Sequence, residues 1–205
     1  MKKERVLVVS VVLIVLFGLI MIYSSSYIWA EYKFQDAFHY VKNQAIFAII
    51  GFLLMHLMGK IDYHWYKEKS NMILGIAIIL LILVLIPGIG SVRNGARSWF
   101  GIGPLGIQPS EAAKLALIIF TSKYLENSNK FIKNIKTGVL PILAILFLIF
   151  GLIMLQPDFG TGMIIVVSIL AMMLVAGVNW KFFLCLGGIG VVGITALIIQ
   201  APYRL

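Results

Sequence analysis

The chain has 205 residues, 61% of them hydrophobic and only 12% charged, with a net charge of +9. A soluble globular domain carries about a quarter charged residues, so a water-soluble enzyme is excluded. Nucleic acid is excluded as a partner despite the basic balance, because the charges fall in short segments between apolar runs, where they control membrane topology. Cys185 is the sole cysteine, so there is neither an internal disulfide nor a cysteine metal cluster.

The long charge-free runs supply the roughly 20 apolar residues that a bilayer crossing needs. They predict an all-α, polytopic integral membrane bundle with about seven spans: Val6–Tyr23, Asn43–Gly59, Asn71–Ile86, Pro109–Leu125, Gly138–Leu155, Gly160–Gly177 and Phe182–Ile199. The second and fourth are the weakest, one interrupted by His56 and the other carrying Glu111 and Lys114. The first reads as an uncleaved helix rather than a signal peptide, for lack of a small-residue cleavage pattern. The whole chain is expected to be one transmembrane domain.

With a cytoplasmic N-terminus, eleven Lys and Arg residues fall inside (Lys2, Lys3, Arg5, Lys60, Lys67, Lys69, Lys123, Lys130, Lys133, Lys136, Lys181). Six fall outside (Lys33, Lys42, Arg93, Arg97, Lys114, Arg204). That bias predicts the N-terminus inside. Seven spans then place Leu205 and both polar breaks, Arg93–Glu111 and Gln156–Thr161, on the extracytoplasmic side.

Tyr23-Ser-Ser-Ser26 is expected to end the first helix, its hydroxyls satisfying the last carbonyls. Arg93 and Arg97 follow the third run in a Gly-rich stretch. A guanidinium is a planar fork of donors suited to phosphate oxygens, and equally to anchoring at lipid headgroups. Trp99 and Phe100 read as an interfacial aromatic anchor. Gln108, Pro109 and Ser110 open the next helix, with proline at a first-turn position where its missing N–H costs nothing. Glu111 then sits at the positive helix end and Lys114 is one turn on, so the two form either a structural salt bridge or part of a charged cavity.

Gln156-Pro157-Asp158 breaks a long apolar run. Asp158 suits capping of the helix that begins near Gly160 and Thr161, or lining a polar cavity with a cation or with Lys114. His39, His56 and His64 do not have the spacing of a metal set. The glycines at 187, 188, 190 and 193 suit close helix packing, and a dinucleotide loop is rejected because no strand precedes them and no acid follows.

Three motifs in order, Asn94-Gly-Ala-Arg97-Ser-Trp99, Gln108-Pro-Ser-Glu111 with Lys114, and Gln156-Pro-Asp158-Phe-Gly160-Thr161, closely resemble the SEDS proteins of bacterial shape, elongation, division and sporulation. Met21-Ile-Tyr-Ser-Ser-Ser26 and Ile61-Asp-Tyr63 favour the division and sporulation branch (FtsW/SpoVE) over the rod-elongation branch (RodA). The resemblance covers essentially the whole sequence and implies the N-terminal part of a ten-helix fold. It implies a peptidoglycan glycosyltransferase that polymerises lipid II at the outer face of the cytoplasmic membrane, at the division septum. The partners it implies are lipid II, a class B penicillin-binding protein and other divisome proteins. Arg93, Arg97 and Lys114 would supply positive charge to the lipid diphosphate, and Glu111 and Asp158 would shape the cavity. No metal site is visible, although a divalent cation such as Mg would suit diphosphate departure. The family's catalytic acid belongs to a large outer loop after the seventh span. This sequence stops where that loop begins, so the catalytic residue is expected beyond Leu205. The competing readings are a lipid II flippase and a non-catalytic scaffold for the penicillin-binding protein.

Overall fold

The computed structural model describes residues 2–93, 95–101, 106–128 and 134–188. The chain divides into two compact units, Met1–Asp62 and Tyr63–Leu205.

The first unit is a helical hairpin of α1 (Lys2–Phe34) and α2 (His39–Met58). At a rise of 1.5 Å per residue, the 33 residues of α1 extend about 50 Å. Contrary to expectation, the serines do not end this helix. Ser25 Oγ and Ser26 Oγ both donate back to the Ile22 carbonyl, at 3.2 and 2.6 Å, and the helix runs on to Phe34. A serine that returns its hydroxyl to the preceding turn leaves the backbone ladder intact. The connection is held by Asp36, whose Oδ1 accepts from the Phe38 N–H at 3.0 Å and whose Oδ2 accepts from Lys42 Nζ at 2.8 Å. Phe34 stacks on His39 with ring centroids 3.9 Å apart, and Tyr23 stacks on Phe38 at 4.9 Å.

The second unit alternates in direction: α3 (Tyr63–Leu85), a hairpin of β1 (Ser91–Arg93) and β2 (Ala96–Trp99), α4 (Pro109–Asn127), α5 (Leu140–Met154) and α6 (Phe159–Val175). A π-helical turn, Ile135–Val139, leads directly into α5. Residues 180–188 are again helical. Buried residues recur every three or four positions: Leu74, Ala77, Leu81 and Val84 on α3; Ala113, Ala116 and Leu117 on α4; Ile142, Leu146, Ile149 and Ile153 on α5; Ile165, Ile169 and Met173 on α6. That spacing keeps one stripe of each helix inward. Alanines at the α3–α4 contact let the two backbones approach closely. Gly162 serves the same purpose where α6 meets α5, since a β-carbon there would lie 3.0 Å from the Phe150 ring and 3.1 Å from Met154 Cε. At the far end from the hairpin, Lys67 pairs with Glu126 at 2.7 Å. Near it, Tyr124 Oη donates to the Thr137 carbonyl at 2.6 Å.

The expectation of about seven membrane-crossing helices is overturned. Among the described residues four helices are long and apolar enough: Arg5–Phe34, His39–Met58, Tyr63–Leu85 and Ile135–Met154. Helix α4 fails because Glu111, Lys114, Lys123 and Glu126 interrupt its apolar character. Helix α6 has 17 residues, about 25 Å, which is short of the usual span. Most of the seventh expected span lies outside the described residues. Among the described residues nothing lies within 4 Å of a β-carbon position at Gly187 or Gly188, and Gly190 and Gly193 lie outside the described residues.

Candidate functional site

The end of the second unit at which α3 and α5 finish and α4 and α6 begin carries both polar breaks. The first break folds into the antiparallel hairpin, paired Ser91↔Trp99, Val92↔Arg97 and Arg93↔Ala96, with a bulge after Ser91. Gly95 sits at φ +83, in the left-handed region that glycine adopts without steric cost. Ser91 Oγ donates to the Trp99 carbonyl at 3.0 Å. Phe100 and Ile107 then exchange two backbone hydrogen bonds of 2.8 Å, which close the following loop and deliver the chain to α4.

This ribbon separates the two arginines. Facing residues share a side and successive residues alternate, so Arg93 leaves one face with Ala96 and Arg97 leaves the other with Val92. The Arg93 guanidinium lies 4.9 Å from the Trp99 ring centroid, a cation–π contact. It also covers Gly106 so closely that a β-carbon there would come within 2.7 Å of it. Arg97 makes no salt bridge among the described residues, and β2 lies against both α3 and α4.

Pro109 starts α4 as expected, with Gln108 as its extended N-cap residue. Lys114 Nζ pairs with Glu111 Oε2 at 2.8 Å, one turn apart. Lys114 is the less exposed partner, at 25% against 55% for Glu111. Ser110 is fully buried in the first turn and its hydroxyl has no partner there.

Asp158 caps α6: its Oδ1 accepts from the Thr161 N–H at 3.2 Å. Its other oxygen, Oδ2, accepts from Gln108 Nε2 at 2.7 Å. The two breaks, fifty residues apart in sequence, are therefore joined at one carboxylate. Asp158 meets Gln108 and Thr161 rather than Lys114. Gln156 is fully buried and reaches the Leu81 carbonyl of α3 through Nε2 at 3.5 Å. Pro157 lies in the turn between α5 and α6 and Gly160 in the first turn of α6, where the Gly162 N–H donates to the Asp158 carbonyl at 3.2 Å. Glu111 is engaged by Lys114, Asp158 by Gln108 and Thr161, and no group of three metal-ligating side chains forms among the described residues.

Sequence reasoning placed Gln108 and Gln156 in motifs without giving either a partner. The available signal was a long amide side chain beside each break, where a buried polar group must find a partner. The hairpin also escaped it, although Asn94-Gly95 between Arg93 and Ala96 is a strong two-residue turn signal.

The profile of the FtsW/RodA/SpoVE cell cycle proteins matches residues 4–205. The chain belongs to this family. It is 45% identical over 204 residues to stage V sporulation protein E of Bacillus subtilis, covering all of this chain and 56% of that protein. It is 33% identical to a probable peptidoglycan glycosyltransferase FtsW of Trichlorobacter lovleyi, covering 54% of that protein. The chain thus spans about half the length of the curated relatives it matches, and these fall in the division and sporulation branch. Among solved structures it resembles Thermus thermophilus RodA, with a TM-score of 0.66 and 28% identity, over 91% of this chain and 58% of that one. It also resembles a chain from a peptidoglycan synthase complex that coordinates polymerization and crosslinking. The TM-score there is 0.68 with 27% identity, over 93% of this chain and 54% of that one. The chain is a multi-pass protein of the bacterial cytoplasmic membrane, of the SEDS cell-wall family.

Proposed function

We propose that this chain provides the diphosphate-binding side of a peptidoglycan glycosyltransferase that polymerises lipid II. The 4-hydroxyl of one disaccharide attacks the anomeric carbon of another, and undecaprenyl diphosphate departs with the bonding electrons. Negative charge grows on the departing diphosphate, and fixed cations aimed at it lower the barrier. Arg97, which has no carboxylate partner among the described residues, and the half-buried Lys114 are the groups assigned to that charge. Arg93 is assigned to holding the loop through Trp99 and Gly106. Asp158 is assigned to tying the two polar breaks together through Gln108 and the Thr161 N–H, and no residue of this chain is assigned the role of general base.

The observation that carries this reading is the Gln108–Asp158 bond, which gathers the two polar motifs at one end of the second unit. Three helices long and apolar enough to cross a membrane precede Arg93; with the cytoplasmic N-terminus assigned from the Lys and Arg bias, that end would lie on the extracytoplasmic side, where lipid II would be polymerised. The similar chain belongs to a peptidoglycan synthase complex that coordinates polymerization and crosslinking, which supports a protein partner; the partner assigned here is a class B penicillin-binding protein.

The test is glycan polymerisation from lipid II by the protein purified from its own membranes. Arg97→Gln and Lys114→Gln are each expected to slow it by about 100-fold, the usual loss when one transition-state donor is removed. Insertion and abundance are expected to stay unchanged. Unchanged rates in both variants would sink the assignment.

A further inference from the structure

An N-cap side chain ordinarily turns back onto the free N–H groups of its own helix. Gln108 does not. It is the N-cap residue of α4, its side chain makes no capping bond, and its amide reaches across to Asp158 Oδ2 at 2.7 Å. Asp158 meanwhile caps α6 through Oδ1. One carboxylate thus fixes the first turns of two helices. The α4 turn that it holds carries Glu111, whose N–H donates to the Gln108 carbonyl at 3.1 Å, and Lys114 one turn further on. Two residues before Asp158, buried Gln156 ties the same break to α3 through the Leu81 carbonyl.

We propose that Gln108 is a positioning residue, an amide latch that sets the height and rotation of the α4 first turn so that Lys114 faces the lipid diphosphate. The inference rests on the glycosyltransferase reading above. Gln108 itself touches no reacting atom. The chemistry of the latch is one-directional, because Asp158 as a carboxylate only accepts and its partner must donate. An amide donates at every pH, an ionised glutamate never does, and a protonated glutamic acid does. The charged groups at this end of the elements that meet at the latch are Asp158 at the start of α6, Glu111 and Lys114 on α4, and Arg93 and Arg97 on the hairpin that adjoins α4.

The experiment compares the unsubstituted protein, Gln108→Glu and Gln108→Leu, purified from native membranes and given lipid II between about pH 5 and pH 8. Each variant rate is divided by that of the unsubstituted protein at the same pH. At pH 8 both variants are expected to fall by about tenfold or more, as for loss of a hydrogen bond to a charged group. For Gln108→Glu the ratio is expected to climb back towards one as the pH falls, because the new side chain protonates beside Asp158 and the latch re-forms. For Gln108→Leu the ratio is expected to stay low throughout. A variant that had merely failed to fold would not recover its rate on acidification. A Gln108→Leu protein with the unsubstituted rate, or a Gln108→Glu ratio that is low and flat with pH, overturns the latch while leaving the glycosyltransferase reading standing. An unsubstituted protein that makes no polymer overturns that reading, and the latch falls with it.

Discussion

The two units solve the same problem by different means. In the α1–α2 hairpin, α2 buries no residue and Ala30 is the one buried hydrophobic residue of α1 among the described residues; the turn is fixed by Asp36, Lys42 and stacked rings. In the second unit, four helices share a continuous core and carry polar side chains that are tied across helices. A site that must hold Lys114 and Asp158 at fixed positions needs neighbours whose own rotamers are locked by packing. The second unit has them and the hairpin does not, which is the physical reason to look for chemistry there.

The largest expected effect comes from a matched pair of truncations. Leu81 is fully buried on α3 among α4 and α5 residues, and its carbonyl receives Gln156. Leu81→Ala is expected to destabilise the second unit by about 2–5 kcal/mol, through lost contacts and the cavity left behind. Leu53 on α2 is 58% exposed, and Leu53→Ala is expected to change stability by about 0.5 kcal/mol or less. Apparent melting midpoints in lipid nanodiscs would compare the two. Equal shifts would show that the two units are packed alike.

Gly162 tests the second unit from the opposite direction, by adding volume. With the Phe150 ring and Met154 Cε already within about 3.1 Å of a β-carbon position, Gly162→Ile is expected to cost about 1–3 kcal/mol by overpacking α5 against α6. Gly51 of α2 has nothing within 4 Å, so Gly51→Ala is expected to be neutral or slightly stabilising, because alanine favours helix. The same melting measurement applies. A tolerated Gly162→Ile would mean that α5 and α6 do not pack as closely as described.

How much of this was legible in the sequence follows from which forces are local. The membrane class follows from long uninterrupted apolar runs, while the start of α4 at Pro109, the Glu111–Lys114 pair and the Asp158 cap depend on residues within one turn, and all were readable. The end of α1 was not. A serine run signals either a helix end or hydroxyls folded back on the ladder, and the choice is made by the chain that follows. The span count failed because charge-free length does not specify helix length: α6 loses residues to its cap and turn, and α4 carries four charges. The Gln108–Asp158 bond was out of reach for a different reason. It joins positions fifty residues apart, and only the packing of α3, α4 and α6 brings them together.

The smallest effect probes the α1–α2 hairpin, whose turn is expected to respond to pH. Hydrogen bonds from Lys42 and then from the Phe38 N–H hold the Asp36 carboxyl below its ordinary value. A carboxylate whose folded value is depressed stabilises the fold above its unfolded value, near 3.9. That contribution fades as the pH falls through the lower, folded value. Acidification below about pH 4 is therefore expected to loosen the α1–α2 turn slightly. The effect is expected to be small because the pair is exposed and water screens it. In Asp36→Asn the acid-dependent part should vanish, while the Lys42 contact is already weakened at neutral pH. Amide hydrogen exchange across residues 34–42, followed from pH 6 to pH 3 with correction for intrinsic rates, reads this directly. Identical pH profiles for the two proteins would mean that the turn is held by the Phe34–His39 and Tyr23–Phe38 stacks alone, and that charge contributes nothing to the one place where α1 and α2 are joined.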